Sequence, residues 1–385
     1  MDAMRSTDLP RLPGRLVATL MVLAVAAYAT AAGCSMSGAD SSTAGASGDQ
    51  PNMSRVSLTK AAPEGLLPIL AVGMQVQRTD WIDRYKVSID EAAELGATAV
   101  KIVCDARQED GQSNSIYLDM RRTPTPDQLG ELFRHADSRG LDVIFMPIVL
   151  VDDPKADEWR GTLSPESWGK WFDSYRDVLA HFLWICEGNG VDVFVVGSEL
   201  LSSERQADEW QETIAFCRER FSGLLTYSSN WDHYQKVPFW QKLDLVGMNS
   251  YWTLGDDRDA DVEEITGNWR PIKANLATFV ERVDRPLIFL EVGWCSLSNA
   301  VAEPWDYTQP VPIDLQLQSR LWQGFWQSWH GTSWLGGMSV WEWPPGDGGS
   351  DDRGYTPENK PAEDVIRRWF DEPRWDVSVD SGARS

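Results

Sequence analysis

Eight short apolar runs, each followed by a stretch with helical periodicity, recur along this 385-residue chain and restrict the folds open to it. The runs are residues 67–76, 98–104, 142–150, 191–197, 224–228, 243–248, 287–290 and 335–341. Several are almost continuous in Val, Ile and Leu, the pattern of parallel strands covered by helices on the outside. After the start signal Ser164-Pro165, Trp168, Trp171, Phe172, Tyr175, Val178, Leu179, Phe182 and Leu183 recur on one helical face, which Gly188 closes. Leu321, Trp322, Phe325, Trp326 and Trp329 form a similar face before the eighth run. Ala362, Val365, Ile366, Trp369 and Phe370 form another after Pro361, so packing claims many of the 20 Trp. Strict alternation predicts an α/β chain with a (β/α)8 TIM barrel over residues 63–371, a single domain, rather than an open doubly wound sheet. No Gly-rich phosphate-binding turn follows the first run, which also disfavours a dinucleotide fold.

The flanks read differently. Arg5, Arg11 and Arg15 precede an apolar run over residues 16–29 that is short for a membrane span. The run ends at Ala31-Ala32-Gly33-Cys34, which resembles a bacterial lipoprotein processing site. Residues 1–34 are therefore expected to be a signal peptide with Cys34 as the lipidated residue, exporting the protein and anchoring it to a membrane of the cell envelope. Ala31 departs from the Leu preferred there, so ordinary signal cleavage and a secreted soluble form stay open. Residues 35–62, rich in Ser, Gly and Ala towards their start, read as a flexible tether, and 372–385 as a tail. Cys104, Cys186, Cys217 and Cys295 match no zinc spacing and are expected as buried free thiols. With a net charge of -23 and no basic cluster, the chain is unsuited to nucleic acid.

Active sites of such barrels gather at the C-terminal ends of the strands. Glu199 follows Val193-Phe194-Val195-Val196-Gly197-Ser198, and Glu291 follows Leu287-Ile288-Phe289-Leu290. Among 58 acidic residues either one alone reads as a surface carboxylate. Together they end strands four and seven, which face each other across the mouth. Two carboxyls, one protonated to serve the leaving oxygen and one ionised to attack the anomeric carbon, are what glycosidic cleavage needs. That chemistry implies a carbohydrate partner and no metal or cofactor. A metal-dependent hydrolase is disfavoured, because the four His residues form no ligand motif. A serine hydrolase is disfavoured by the lack of a G-x-S-x-G turn. A non-catalytic carbohydrate-binding or structural barrel lipoprotein stands as the alternative.

The pattern resembles retaining glycoside hydrolases of clan A, and most closely family 113 with its endo-β-mannanases. The resemblance runs from about Ala71 to Phe370. It is carried by Val196-Gly197-Ser198-Glu199-Leu200, Gly247-Met248-Asn249-Ser250-Tyr251-Trp252, Leu290-Glu291-Val292-Gly293-Trp294, Trp341-Glu342-Trp343, Tyr355-Thr356-Pro357 and Lys360-Pro361-Ala362. It implies Glu199 as acid/base, Glu291 as nucleophile, and β-mannan as substrate, with β-glucan the runner-up. Many clan members carry Asn before the acid/base where this chain has Ser198. Tyr251 is expected to hydrogen-bond the nucleophile, and Trp341 to floor the reacting sugar. Trp252, Trp294 and Trp343 are weaker stacking candidates, and Asn230 and Trp231 are candidates for hydroxyl recognition or loop capping. Glu342 is expected in a structural or subsite role, and Lys101 and Asp105 as an ion pair. Asp347, Asp351 and Asp352 read as a solvated loop rather than a calcium site.

Overall fold

Apolar runs become buried parallel strands where helices can cover their outer face and side chains fill the space within. The computed structural model of the chain describes residues 56–57, 65–346 and 348–380, and there eight such strands form one closed barrel. They are β1 (Ile69–Gln75), β2 (Ala99–Gln108), β3 (Asp142–Val151), β4 (Val193–Ser198), β5 (Leu224–Ser229), β6 (Val246–Asn249), β7 (Leu287–Val292) and β8 (Leu335–Trp341). Each pairs in parallel with its neighbours, and β1 closes the ring against β8. The described helices are α1 (Ile82–Leu95), α2 (Pro126–Ser138), α3 (Trp168–Gly188), α4 (Ala207–Arg218), α5 (Val262–Val283), α6 (Leu315–Trp329) and α7 (Pro361–Phe370).

The expected alternation fails once. Between β5 and β6 stand only two 3-10 turns, Tyr234–Lys236 and Trp240–Lys242. Pro238 lies between them and has no N–H to donate to a continuing helix, and only residues 229–242 separate the two apolar runs there. Helix α3 starts later than the Ser164-Pro165 signal suggests. Its cap is Ser167, whose hydroxyl accepts from the Lys170 N–H at 3.4 Å.

The core has two layers. Between sheet and helices lie Trp171, Trp210, Trp269, Trp322, Trp329 and Trp369, all fully buried. Their rings meet mostly edge to face, as with Phe289 and Trp329 at 4.8 Å and 80°, the arrangement aromatic quadrupoles favour. Inside the barrel, alternate strand residues such as Ile69, Ala71, Val103, Ile144, Met146, Val193, Val195 and Leu290 fill the axis. The charged side chain of Lys101 shares this interior and is fully buried. Gly73 makes room for it: a Cβ there would come within 2.9 Å of Lys101 Cε and 3.1 Å of the Val340 carbonyl.

Cys34 and the expected signal segment lie outside the described residues. Of the expected tether, Val56–Ser57 is described, and it pairs in parallel with Val379–Asp380 from the expected tail. That tail packs on the barrel: Trp375 is buried and its indole N–H donates to the Leu335 carbonyl at 2.9 Å. The four described cysteines are buried free thiols. No described helix is long and apolar enough to cross a membrane.

Candidate active site

Strand β4 delivers Glu199 to the C-terminal mouth in a backbone conformation that L residues avoid, with φ at +53°. Holding a non-glycine residue there costs on the order of 1–3 kcal/mol, so surrounding bonds must fix it. The Glu199 N–H donates to the Ser228 carbonyl at 2.8 Å, and the next N–H, of Leu200, donates to the Tyr227 hydroxyl at 2.9 Å. Tyr227 in turn donates to Glu204 at 2.9 Å. Burial pushes the Glu204 carboxyl up to about 7, against the opposing pull of the Tyr227 hydrogen bond.

Strand β7 carries Glu291. The register sets its backbone opposite Asn249 of β6, and the Ser250 N–H donates to the Glu291 carbonyl at 2.9 Å. Glu291 Oε2 accepts the Tyr251 hydroxyl at 2.8 Å, and Oε1 lies 4.0 Å from Lys101 Nζ. Asn249 joins the two glutamates into one site. Its backbone pairs with Glu291 in the register, while its side-chain amide donates to Glu199 Oε1. The other Glu199 oxygen is paired with the Arg160 guanidinium. Arg160 sits on the segment after β3, which the Ser202 N–H ties to the turn beyond Glu199 through the Gly161 carbonyl at 3.1 Å. The Arg160 Nε is buried with no partner among the described residues.

The surroundings act on Glu199 in both directions. Burial raises the Glu199 pKa, the Arg160 cation beside it pulls it down, and the charge of Glu291 adds to the rise. Burial lowers Lys101 to about 8, opposed by the carboxylates of Glu291, Glu342 and Glu199. Glu342 keeps part of its surface exposed, yet enclosure by the mouth and then the Glu291 charge raise it to about 7. Three carboxyls and two cations thus share one low-dielectric space.

Most of the other expected site residues meet this centre. Tyr251 and Trp341 are buried members of the inner cluster, and Lys101 Nζ stands 4.5 Å from the Trp341 ring centroid. Trp231 is half-buried and packs on the same cluster, and its N–H donates to Asn249 Oδ1 at 2.9 Å. Asn230 caps the following turn through its carbonyl, which accepts from the His233 N–H at 2.9 Å, while its side-chain Oδ1 has no partner among the described residues. Trp252 is half-buried between Trp231 and Trp269, at 5.8 Å and 5.9 Å.

Three expectations need correction. Trp294 does not face the mouth: it is fully buried in the outer layer against Trp322 at 5.3 Å, because its side chain follows the outward phase beyond β7. Trp343 likewise points outward, where its indole donates to Glu91 at 2.9 Å. Lys101 does not pair with Asp105. Asp105 is held by Arg107 at 2.7 Å, and Lys101, two pleats deeper, turns to Glu291 and the Leu290 carbonyl. Asp352, in the loop read as solvated, is bonded to Lys360 at 2.7 Å. Arg160 and the role of Asn249 escaped the sequence reading. Arg160 lies in a loop without periodicity, whereas Asn249, two residues before Tyr251 at a strand end, carried a usable signal.

A TIM barrel with two buried glutamates joined at the ends of β4 and β7 defines a class of carboxylate-bearing barrel enzymes. The sequence model of glycoside hydrolase family 113 matches residues 70–360; the chain belongs to that family and is a glycoside hydrolase. A family 113 β-mannanase from Alicyclobacillus acidocaldarius, solved in complex with ManMIm, is 29% identical, with a TM-score of 0.72 over 80% of this chain and 98% of that one. A second family 113 β-1,4-mannanase structure is 26% identical, with a TM-score of 0.72 over 80% of this chain and 99% of that one. A β-glucuronidase from Faecalibacterium prausnitzii, 14% identical with a TM-score of 0.56 over 80% of this chain and 50% of that one, shares the fold. No curated protein matches the sequence.

Because the Arg160 charge is the chief influence lowering Glu199, Arg160→Met should raise the pH at which Glu199 titrates. Carboxyl 13C shifts of glutamate-labelled protein would report this. A midpoint that stays in place or falls would contradict the pairing.

Proposed function

We propose that the protein is a retaining β-mannanase of the cell envelope in which Glu199 is the acid/base and Glu291 the nucleophile. In the first half-reaction the Glu199 carboxyl gives its proton to the glycosidic oxygen while Glu291 attacks the anomeric carbon, and the leaving sugar departs. In the second, Glu199 as carboxylate takes a proton from water, and that water displaces Glu291 from the sugar. One observation carries the reading: the two carboxyls are dressed unequally within a single pocket. Glu291 holds an O–H donor at 2.8 Å and a cation at 4.0 Å, which suits a role that needs an anion. Glu199 is pushed towards its protonated form by burial and by Glu291, as the first step requires, and Arg160 favours the carboxylate form that the second requires.

The choice of β-mannan rests on the two family 113 relatives, both mannanases that match over nearly their whole length. Trp341, above the Lys101 ammonium, is suited to floor the reacting sugar. Export and anchoring through Cys34 rest on residues 1–34 alone.

Reducing-sugar release on mannan, glucan and xylan should be greatest on mannan. Early NMR spectra should show the anomer with configuration retained. Glu199→Gln should lower turnover by roughly 10²–10⁴-fold, and Glu291→Gln should abolish it. Equal activity of wild type and both variants, or an inverted first product, would reject the mechanism. In cells fed a radioactive fatty acid the wild type should be labelled and Cys34→Ala should not. Label persisting in the variant would place the anchor elsewhere.

A further inference from the structure

We infer that Trp305 and Trp231 form the platform for the sugar on the leaving-group side of the scissile bond, an assignment that rests on the acid/base role of Glu199. Trp305 lies between β7 and α6 on an excursion whose base is closed by an antiparallel bridge between Leu297 and Ile313. The excursion is held from both flanks. The Leu254 N–H donates to the Val301 carbonyl at 2.8 Å, and the Thr253 hydroxyl to the Ala302 carbonyl at 2.7 Å. From the segment after β8, the Tyr355 hydroxyl donates to the Pro304 carbonyl at 3.0 Å. The backbone next to Trp305 is thereby fixed before any ligand arrives.

The Trp305 ring lies 19° from parallel to that of Trp231, with centroids 6.0 Å apart. Both are half-buried and both pack on the inner cluster that contains Tyr251 and Trp341, so they border the mouth and not the helical layer. Half-exposed, near-parallel indoles on a rigid frame offer an apolar aromatic face suited to the C–H face of a neutral pyranose. The side of the bond follows from connectivity. The backbone N–H of Trp231 donates to Asn249 Oδ1 at 2.9 Å, and the side-chain amide of the same Asn249 donates to Glu199. Two hydrogen bonds therefore separate the backbone that carries the Trp231 ring from the carboxyl that protonates the leaving oxygen. Trp341, by contrast, stands with Lys101 and Glu291. A sugar seated on the platform is the one that departs, and its binding free energy can be spent on reaching the transition state.

The test compares a manno-oligosaccharide, whose leaving group is a sugar, with an activated aryl β-mannoside oligomer, whose leaving group is not. Trp305→Ala and Trp305→Leu should each lower kcat/KM on the oligosaccharide at least about tenfold more than on the aryl substrate, and Trp305→Phe should recover most of the difference. Equal losses on both substrates, or no loss on the oligosaccharide, would overturn the assignment. If Trp305→Ala proves unfolded by thermal melting, Trp305→Leu and Trp305→Phe decide the comparison alone. A wild type inactive on both substrates would instead reject the mannanase reading beneath it.

Discussion

Two carboxylates can share a buried pocket only if cations and hydrogen-bond donors occupy it with them, and the interior of this barrel is arranged around that requirement. Unit charges about 4 Å apart interact by roughly 4 kcal/mol at an effective dielectric near 20, so neither Glu199 nor Glu291 is indifferent to its neighbours. Lys101 answers the charge of Glu291 from within the barrel, and Arg160 answers that of Glu199 from a loop. A buried lysine at the centre of an apolar barrel is costly by itself, and burial draws its pKa down to about 8. Nearby carboxylates offset that cost, and Gly73 supplies the space for the stem.

Geometry is secured in the same way. Glu199 sits in a left-handed conformation, and bonds from two consecutive backbone N–H groups to β5 hold it there. Asn249 links the Glu199 side of the site to the Glu291 side through one side chain and one register pair. Rigid strands thus set positions that loops alone would leave variable, which is the condition for a carboxyl to meet a reacting atom on time. The dense outer layer of Trp and Phe rings anchors those strands to the helices.

How far the sequence foretold this differs by feature. The barrel was legible because eight apolar runs have a period that few folds satisfy. The helix expected after β5 was not, since the short segment of residues 229–242 is divided by Pro238 into two single turns. Glu199 and Glu291 were legible by position, each at the end of an apolar strand. Tyr251 and Trp341 followed from the same rule. Trp294 misled because a strand end fixes where a residue lies but not its phase: a side chain one position off points to the helices. Lys101 misled for a different reason, as pairing by proximity in sequence favoured Asp105, whereas the pleat directs it across the barrel to Glu291. Arg160 had no local signal at all. Its partner stands at the end of the next strand, and only the parallel pairing of β3 with β4 brings the two segments together.

The central claim is that Glu291 bonds to the sugar while Glu199 serves it. Incubation with an activated 2-deoxy-2-fluoro-β-mannoside slows breakdown of any glycosyl-enzyme, so the adduct can be digested and located by mass spectrometry. The account predicts one fluorosugar per chain on the peptide containing Glu291, with Glu291→Gln unlabelled. A label on Glu199 or on another residue, or hydrolysis of the probe with no adduct at any time, would contradict it.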